Sequence, residues 1–443
     1  MTDLEGLSAL LASATKAGAD AADALLVSHT SLSVQQRLRA VEHVERSESR
    51  DLGLRVFLGK RVAIVSSSTF DPSSFDRLAE RAMAMARVVP EDPYAGLGDA
   101  SAPADGADAL DLCDATVADA ERLRALAAAA EDAALAVHGV TNAEGAEAGY
   151  SRAEVSLMTT AGFVGSFART GFSVSATALA GEGVGMQRDY DYSTAVHLAD
   201  VADPATIGRT AAEKAVARLN PTRPKTGKLP IVFDPRVASS LVGHLAGAIN
   251  GAAVARGTTF LKDKMGARLF ASGVFVHDDP RRVRGLRSRP FDGEGVPGRP
   301  LALIDDGVLT TWLLDTHSAR QLGLATTGHA SRGTGGPPGP APTNLFMAAG
   351  SVSPAELMAD IREGVYVTEM IGMGVNGVTG DYSRGAAGYM IRDGALAEPV
   401  AELTIAGHLL EMFAHLTPAD DLAFRYGVNA PTLRVDGMTL AGA

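Results

Sequence analysis

Residues 229–260 (LPIVFDPRVASSLVGHLAGAINGAAVARGTTF) constrain this chain more than any other stretch. Residues 229–233 are a short apolar run of the kind that forms a buried strand. Asp234-Pro235 then supplies an N-cap followed by proline at the first helical position. The pattern beyond it predicts a helix of about 20 residues carrying Val237, Leu241, Val242, Leu245, Ile249 and Val254. Its other positions are mostly Ala and Gly, Gly243 and Gly247 among them, so almost no polar face is left. No Asp or Glu occurs between 235 and 262, and His244 is the only histidine between His197 and His277. A helix apolar all round is covered on most sides, so the rest of the chain must fold around this one. His244 reads most simply as a core histidine hydrogen-bonded to a neighbour, and the helix carries no visible chemistry.

That strand, the Asp-Pro start and the exit Arg256-Gly257-Thr258-Thr259-Phe260 resemble the central helix of the TldD/PmbA family. In the TldD-type subunit that helix carries a His-Glu-x-x-x-His zinc motif, completed by a cysteine near the C-terminus. Aligned on the exit, Val242, Gly243 and Gly247 stand where the two histidines and the glutamate would be. One histidine and no carboxylate cannot make the motif in any register. The chain therefore resembles the PmbA (TldE) branch, the subunit lacking the zinc motif.

At 443 residues the chain can hold two or three domains with sizeable cores. A net charge of −12 disfavours non-specific binding to nucleic acid or to an anionic membrane. Cys113 is the only cysteine, which rules out an intrachain disulfide and fits a reducing compartment. The first residues lack the basic start and apolar core of a signal peptide, and no run of 18 or more apolar residues exists, so a cytoplasmic location is expected.

The patterning predicts an α+β protein. Its N-terminal α/β region, with an antiparallel meander, spans 1–222 and is itself divisible near 98–113. A mostly antiparallel β domain around the buried central helix spans 223–443. In the first part a helix carries Leu4, Leu7, Leu10 and Leu11, and strands follow at 24–27 and 32–44. A hairpin turns at Gly59-Lys60, and Asp71-Pro72 caps a helix burying Phe75, Leu78, Ala82, Met85 and Val89. A solvated connector (99–111), an Ala-rich helix (117–137), the meander (140–196) and a helix from Asp203-Pro204 lead to the linker at 220–227. In the second part residues 328–342 read as an irregular Gly/Pro-rich loop, and Ser353-Pro-Ala-Glu356 is a capping box. Strands at 364–371, 386–391 and 395–405 precede a helix at 406–416 and a last strand near 432–435.

Further family resemblance lies in Pro342-Thr-Asn344-Leu, Val365-Tyr-Val-Thr-Glu369, Gly374-Val-Asn376, Gly380-Asp-Tyr-Ser-Arg-Gly385 and Glu402-Leu-Thr-Ile-Ala-Gly407, in family order. The resemblance implies a non-catalytic subunit of a two-component zinc metalloprotease acting on unfolded peptides. It implies a TldD-type protease subunit as partner in a heterodimer, zinc in that partner and no cofactor in this chain. Small-residue packing implies a homodimer when the chain is alone, and neither nucleic acid nor membrane is an expected partner. Two rivals stay open: a stand-alone peptide-binding module that adds a ligand strand to a sheet edge, and a hydrolase with an unrecognised site.

Three constellations bear on chemistry. Gly372-Met-Gly-Val-Asn-Gly377 matches G-x-G-x-x-G, but no helix can start after it, so the glycines serve turns and close backbone approach rather than a dinucleotide. His408, Glu411 and His415 share one side of the predicted 406–416 helix. Histidines seven apart are a poor match to the i, i+4 zinc pairing, so a solvated face is the better reading. Asn344, Asn376, Asp381, Tyr382, Ser383 and Arg384 form the candidate substrate-cleft or partner-contact set, the last four in a polar, glycine-bracketed loop. Turn residues bonding their own backbone would look the same.

Overall fold

The computed structural model describes residues 2–100 and 107–443, so most of the connector's centre lies outside the described residues. The N-terminal part is built on strands β1 (Ala21–Arg37), β2 (Ala40–Leu58), β3 (Arg61–Ser67), β4 (Val140–Thr159), β5 (Val164–Ala180) and β6 (Gln187–Ala195). They form one antiparallel sheet in the order β3-β2-β1-β4-β5-β6, with β1 and β4 pairing across the connector. Helices α1 (Asp3–Lys16), α2 (Phe75–Ala86), α3 (Ala120–Leu135) and α4 (Pro204–Ala217) cover it. Alternation along β1 explains the layering: Ala22, Ala24, Leu26 and Val34 face the helices, while Asp23 and Leu25 face the C-terminal part.

The C-terminal part opens with β7 (Gly227–Phe233), α5 (Pro235–Ala248) and α6 (Gly251–Ala255). Short pieces follow: β8 (Val276–Asp278), β9 (Leu301–Asp305), β10 (Val308–Leu309), α7 (Thr316–Leu322), β11 (Ala330–Ser331), β12 (Gly339–Pro340), β13 (Leu345–Met347) and α8 (Pro354–Met358). Long strands β14 (Glu363–Ile371), β15 (Asp381–Arg392) and β16 (Ala395–His408) lead to α9 (Leu409–Ala414), β17 (Leu416–Pro418), β18 (Val428–Asn429) and β19 (Leu433–Ala441). β7, β14, β15, β16 and β19 pair in a closed ring, because β16 bonds β19 and β19 bonds β7. Closure leaves no free edge in that ring. The inward residues Ile231, Phe233, Val365, Val367, Ile405 and Val435 join α5 in one apolar core.

Several expectations need correcting. The central helix is two helices: Asn250 leaves the helical path, caps α6 through Ala252 N (3.0 Å) and donates to Pro340 O (2.7 Å). The segment at Leu313 bonds into the gap from both sides. The expected strand at 32–44 is interrupted by a turn whose Leu38 and Arg39 both have positive φ. Neither residue favours that conformation. The buried Glu131 of α3 holds the turn by accepting from Leu38 N (2.6 Å) and Arg39 N (2.9 Å). On α2, Met83 and Ala86 are buried and Met85 is exposed, the helix ending before Val89. The 328–342 loop contains the small β11–β12 hairpin. The helix expected at 406–416 shrinks to α9, because residues up to His408 continue β16.

Candidate functional site

The face of α5 expected to be sealed is partly open. A Cβ added at Gly243 or Gly247 would meet no atom within 4 Å. These glycines, one turn apart, floor a cavity of about 340 Å³ with His244, Phe260, Met373 and Arg384 around it. Val242, the third position of the missing motif, is buried in the core instead.

β15 supplies the opposite wall. Residues 381–384, expected as a loop, are the first residues of this strand. Period-2 alternation turns Tyr382 and Arg384 to one side, and Tyr382 is buried. Its ring meets His244 edge-on, centroids 6.0 Å apart at 78°. Arg384 donates a long hydrogen bond from Nε to Ile371 O (3.4 Å) and forms no ion pair with any described residue. His244 Nε2 is buried without a hydrogen-bond partner, contrary to the bonded core histidine expected. Burial, and then the Arg384 cation, push the imidazole pKa down. Burial likewise raises the Tyr382 phenol.

The rim is the 372–380 segment. Gly374 lets it lie on β15: Ser383 N donates to Gly374 O (2.7 Å), and a Cβ at 374 would sit 2.0 Å from Ser383 O. Asn376 Oδ1 accepts from Val378 N (2.9 Å) and Thr379 N (3.3 Å), an Asx turn. Asp381 accepts from Thr379 Oγ1 (2.6 Å). The candidate residues 376 and 381–384 are thus brought together, and Arg384 lines the cavity. Asn344 is elsewhere, buried and bonded to Arg287 N (2.8 Å) and Ser288 Oγ (2.8 Å).

His408, Glu411 and His415 line a separate open groove of about 700 Å³. Both ring nitrogens of His408 are engaged, Nε2 with Thr379 O (2.8 Å) and Nδ1 with Leu410 N (3.3 Å). Around α5 one imidazole stands beside a guanidinium, with no carboxylate or thiolate among the described lining residues. Among the described residues no three His, Cys, Asp or Glu side chains converge on a point. A zinc ion needs three such protein ligands; this donor set does not fit it.

Sequence reasoning also missed the junction between the two parts. Asp23 of β1 accepts from Arg55 Nε of β2 (2.7 Å), and Arg332 Nη1 lies 2.7 Å from its other oxygen. Arg55 Nη1 reaches Glu294 Oε1 (3.4 Å), whose second oxygen accepts from Thr316 N (2.8 Å). Burial pushes the Asp23 carboxyl up, but Arg55 and Arg332 together hold it below the usual carboxylate range. Gly53 admits the 330–340 hairpin loop, since a Cβ there would lie 2.4 Å from Thr334 O. No local pattern announces pairs 239 residues apart.

The comparisons with known proteins agree with this fold. Three family models match: PmbA/TldA metallopeptidase domain 1 over residues 22–86, the central domain over 114–219 and the C-terminal domain over 226–442. The chain is 35% identical to the metalloprotease PmbA of Escherichia coli O157:H7, over 96% of this chain and 92% of that one. It is 32% identical to a PmbA homologue of Haemophilus influenzae, covering 97% and 94%. Among solved structures, a Bacteroides thetaiotaomicron protein described as a modulator of DNA gyrase superposes with a TM-score of 0.90 at 24% identity, covering all of both chains. TldE of Thermococcus kodakarensis superposes with a TM-score of 0.87 at 18% identity, covering 99% and 100%.

Proposed function

Because this chain belongs to the PmbA/TldD metallopeptidase family, we propose that it serves as the non-catalytic subunit of a two-component zinc peptidase. Its partner would be a TldD-type chain that holds the zinc, and the complex would act on unfolded peptides. One observation carries this reading. Where the family's zinc helix needs two imidazoles and a carboxylate, α5 offers Val242, Gly243 and Gly247, none with a lone pair to give. Among the described lining residues of the cavity, His244 is a single imidazole and Arg384 a cation that would repel a metal ion. Among the described lining residues none is a carboxylate that could serve as the general base of that motif.

The open edge of β2 favours this reading over a strand-adding module. Residues 40–50 are exposed and carry Glu42, Glu45, Arg46, Glu48 and Arg50, a composition that discourages strand addition. In isolation the chain is expected to form a homodimer.

The test uses the purified chain, a TldD-type chain and their mixture. Elemental analysis should find no stoichiometric zinc in this chain, and it should cleave no peptide alone but support cleavage in the mixture. About one zinc per chain, or chelator-sensitive cleavage by this chain by itself, would overturn the reading.

A further inference from the structure

Among the described residues lining the α5 cavity Arg384 is the only charged side chain, and no described carboxylate pairs with it. Its Nε spends one weak contact on Ile371 O, leaving the fork of the guanidinium to the cavity. Opposite it, His244 presents a buried nitrogen with no partner. An imidazole with a depressed pKa is neutral near pH 7, so one of its nitrogens carries a proton and can donate. The glycine floor keeps the space clear, since no neighbouring atom requires a missing Cβ at 243 or 247. Glycine in a helix interior costs about 0.5–1 kcal/mol relative to alanine, so Gly243, inside α5 without a packing reason, is evidence of a space kept for something else, and Gly247 in the last turn leaves it open. Finally, Met373 lines the cavity and is exposed, and Ile371 and Val378 nearby in the chain are exposed too, an apolar edge on a chain with net charge −12.

We propose that this cavity is a binding site for a carboxylate carried by a peptide, with Arg384 as its charge partner, His244 as a second donor and the 371–378 rim against the neighbouring apolar side chain. A guanidinium fork matches a carboxylate in a bidentate pair. A single cation beside a neutral imidazole balances one negative charge, and a phosphate dianion in the same half-buried space would be left undercompensated. The peptide as bearer of the carboxylate rests on the function proposed above; the carboxylate site itself does not, and it is tested without any partner chain.

The measurement is calorimetric titration of the full chain with three peptides: Ac-Ala-Ala-Leu with a free C-terminus, its C-terminal amide, and Ac-Glu-Ala-Leu amide. Binding of the free acid at least tenfold tighter than the neutral amide supports the site and assigns the carboxylate to the chain terminus. Tighter binding of the Glu peptide alone supports it and assigns the carboxylate to a side chain. The Arg384→Met variant should bind all three peptides equally, within twofold, while Arg384→Lys retains part of the preference and so controls for misfolding. Filling the floor with Gly247→Leu should weaken the preferred peptide at least tenfold. If wild-type protein binds both acidic peptides within twofold of the neutral amide, binds none at millimolar concentration, or keeps its preference in Arg384→Met, the proposal is wrong. A failure here leaves the zinc and mixing assays untouched, so the two readings can fail separately.

Discussion

Two regions of this molecule handle charge in opposite ways. At the junction between the N-terminal sheet and the C-terminal part, Asp23, Arg55, Glu294 and Arg332 are buried, and each faces an opposite charge within 3.4 Å. Over α5, Arg384 stands at a cavity with no acidic neighbour in ion-pair range among the described residues and a neutral histidine nearby. A buried charge must be paired, because desolvation costs several kcal/mol per ion before any attraction is recovered. The junction obeys that rule with protein groups alone. The α5 cavity leaves the position opposite its cation open to water or ligand. Paired charge fixes how two parts of a chain sit together; unpaired charge is free to select a ligand.

The largest expected effect breaks the first region. Asp23→Ala removes the carboxylate that Arg55 and Arg332 share, leaving Arg55 with Glu294 alone and Arg332 buried without an ion-pair partner among the described residues. Breaking a buried pair costs about 3–5 kcal/mol, so the midpoint of urea unfolding should drop sharply. A loss below about 1 kcal/mol would mean the junction is wet and the contrast with α5 is unfounded.

Asp292, two residues from Glu294, sharpens the same point through pH. Burial, then the neighbouring Glu294, push its carboxyl up to about 6, although it accepts from Glu294 N, Val296 N and Ala330 N. The folded pKa lies above the unfolded 3.8, so the folded state holds the extra proton between these values. The stabilisation is full below about pH 4 and is lost as pH rises through about 6, a fall of roughly 3 kcal/mol from this group. Asp292→Asn lowers stability outright by replacing an acceptor. It should also flatten the slope of unfolding free energy between pH 4 and 6. An unchanged slope would place the titrating group elsewhere.

How much of this was legible in the sequence follows from the range of the interactions. Asp234-Pro235, the Ser353–Glu356 capping box and the Gly59-Lys60 turn are local chemistry, and each stands where the pattern placed it. The Leu38-Arg39 turn was invisible because nothing in those two residues favours positive φ; the donors are satisfied by Glu131, more than 90 residues away. The break at Asn250 was hidden for the same reason, since the segment that fills it comes from Leu313. At the candidate site the absence of zinc ligands could be read directly. The cavity could not, because a run of Gly and Ala looks alike whether its small side chains pack against neighbours or face open space. Only the approach of β15 on the other side distinguishes Gly243 and Gly247 from Gly251, whose added Cβ would lie 2.4 Å from Leu314 Cδ2.

That distinction predicts a gain in stability. Gly247→Ala and Gly243→Ala each add a methyl group to free space on a helix, so each should stabilise the chain by about 0.5–1 kcal/mol. Gly251→Ala should destabilise it by overlap with Leu314. Thermal unfolding of the three variants checks the sign. If Gly247→Ala is destabilising, the floor of the cavity is closed and the second half of the comparison fails.

The smallest expected effect is the most telling. Arg384→Met keeps the stem's apolar contacts and deletes a charge whose only described hydrogen bond is a 3.4 Å contact to Ile371 O. Stability should change by no more than about 0.5 kcal/mol, as at positions outside packed or paired networks. The same substitution removes the cation that helps hold the His244 pKa down, leaving burial as the remaining cause. The imidazole titration, followed by NMR, should therefore move toward its ordinary value without reaching it. Loss of more than about 2 kcal/mol would show that Arg384 belongs, like Arg55, to the internal scaffold. A small stability change together with a displaced His244 titration would instead show the two groups facing each other across open space, with the position between them available to a ligand.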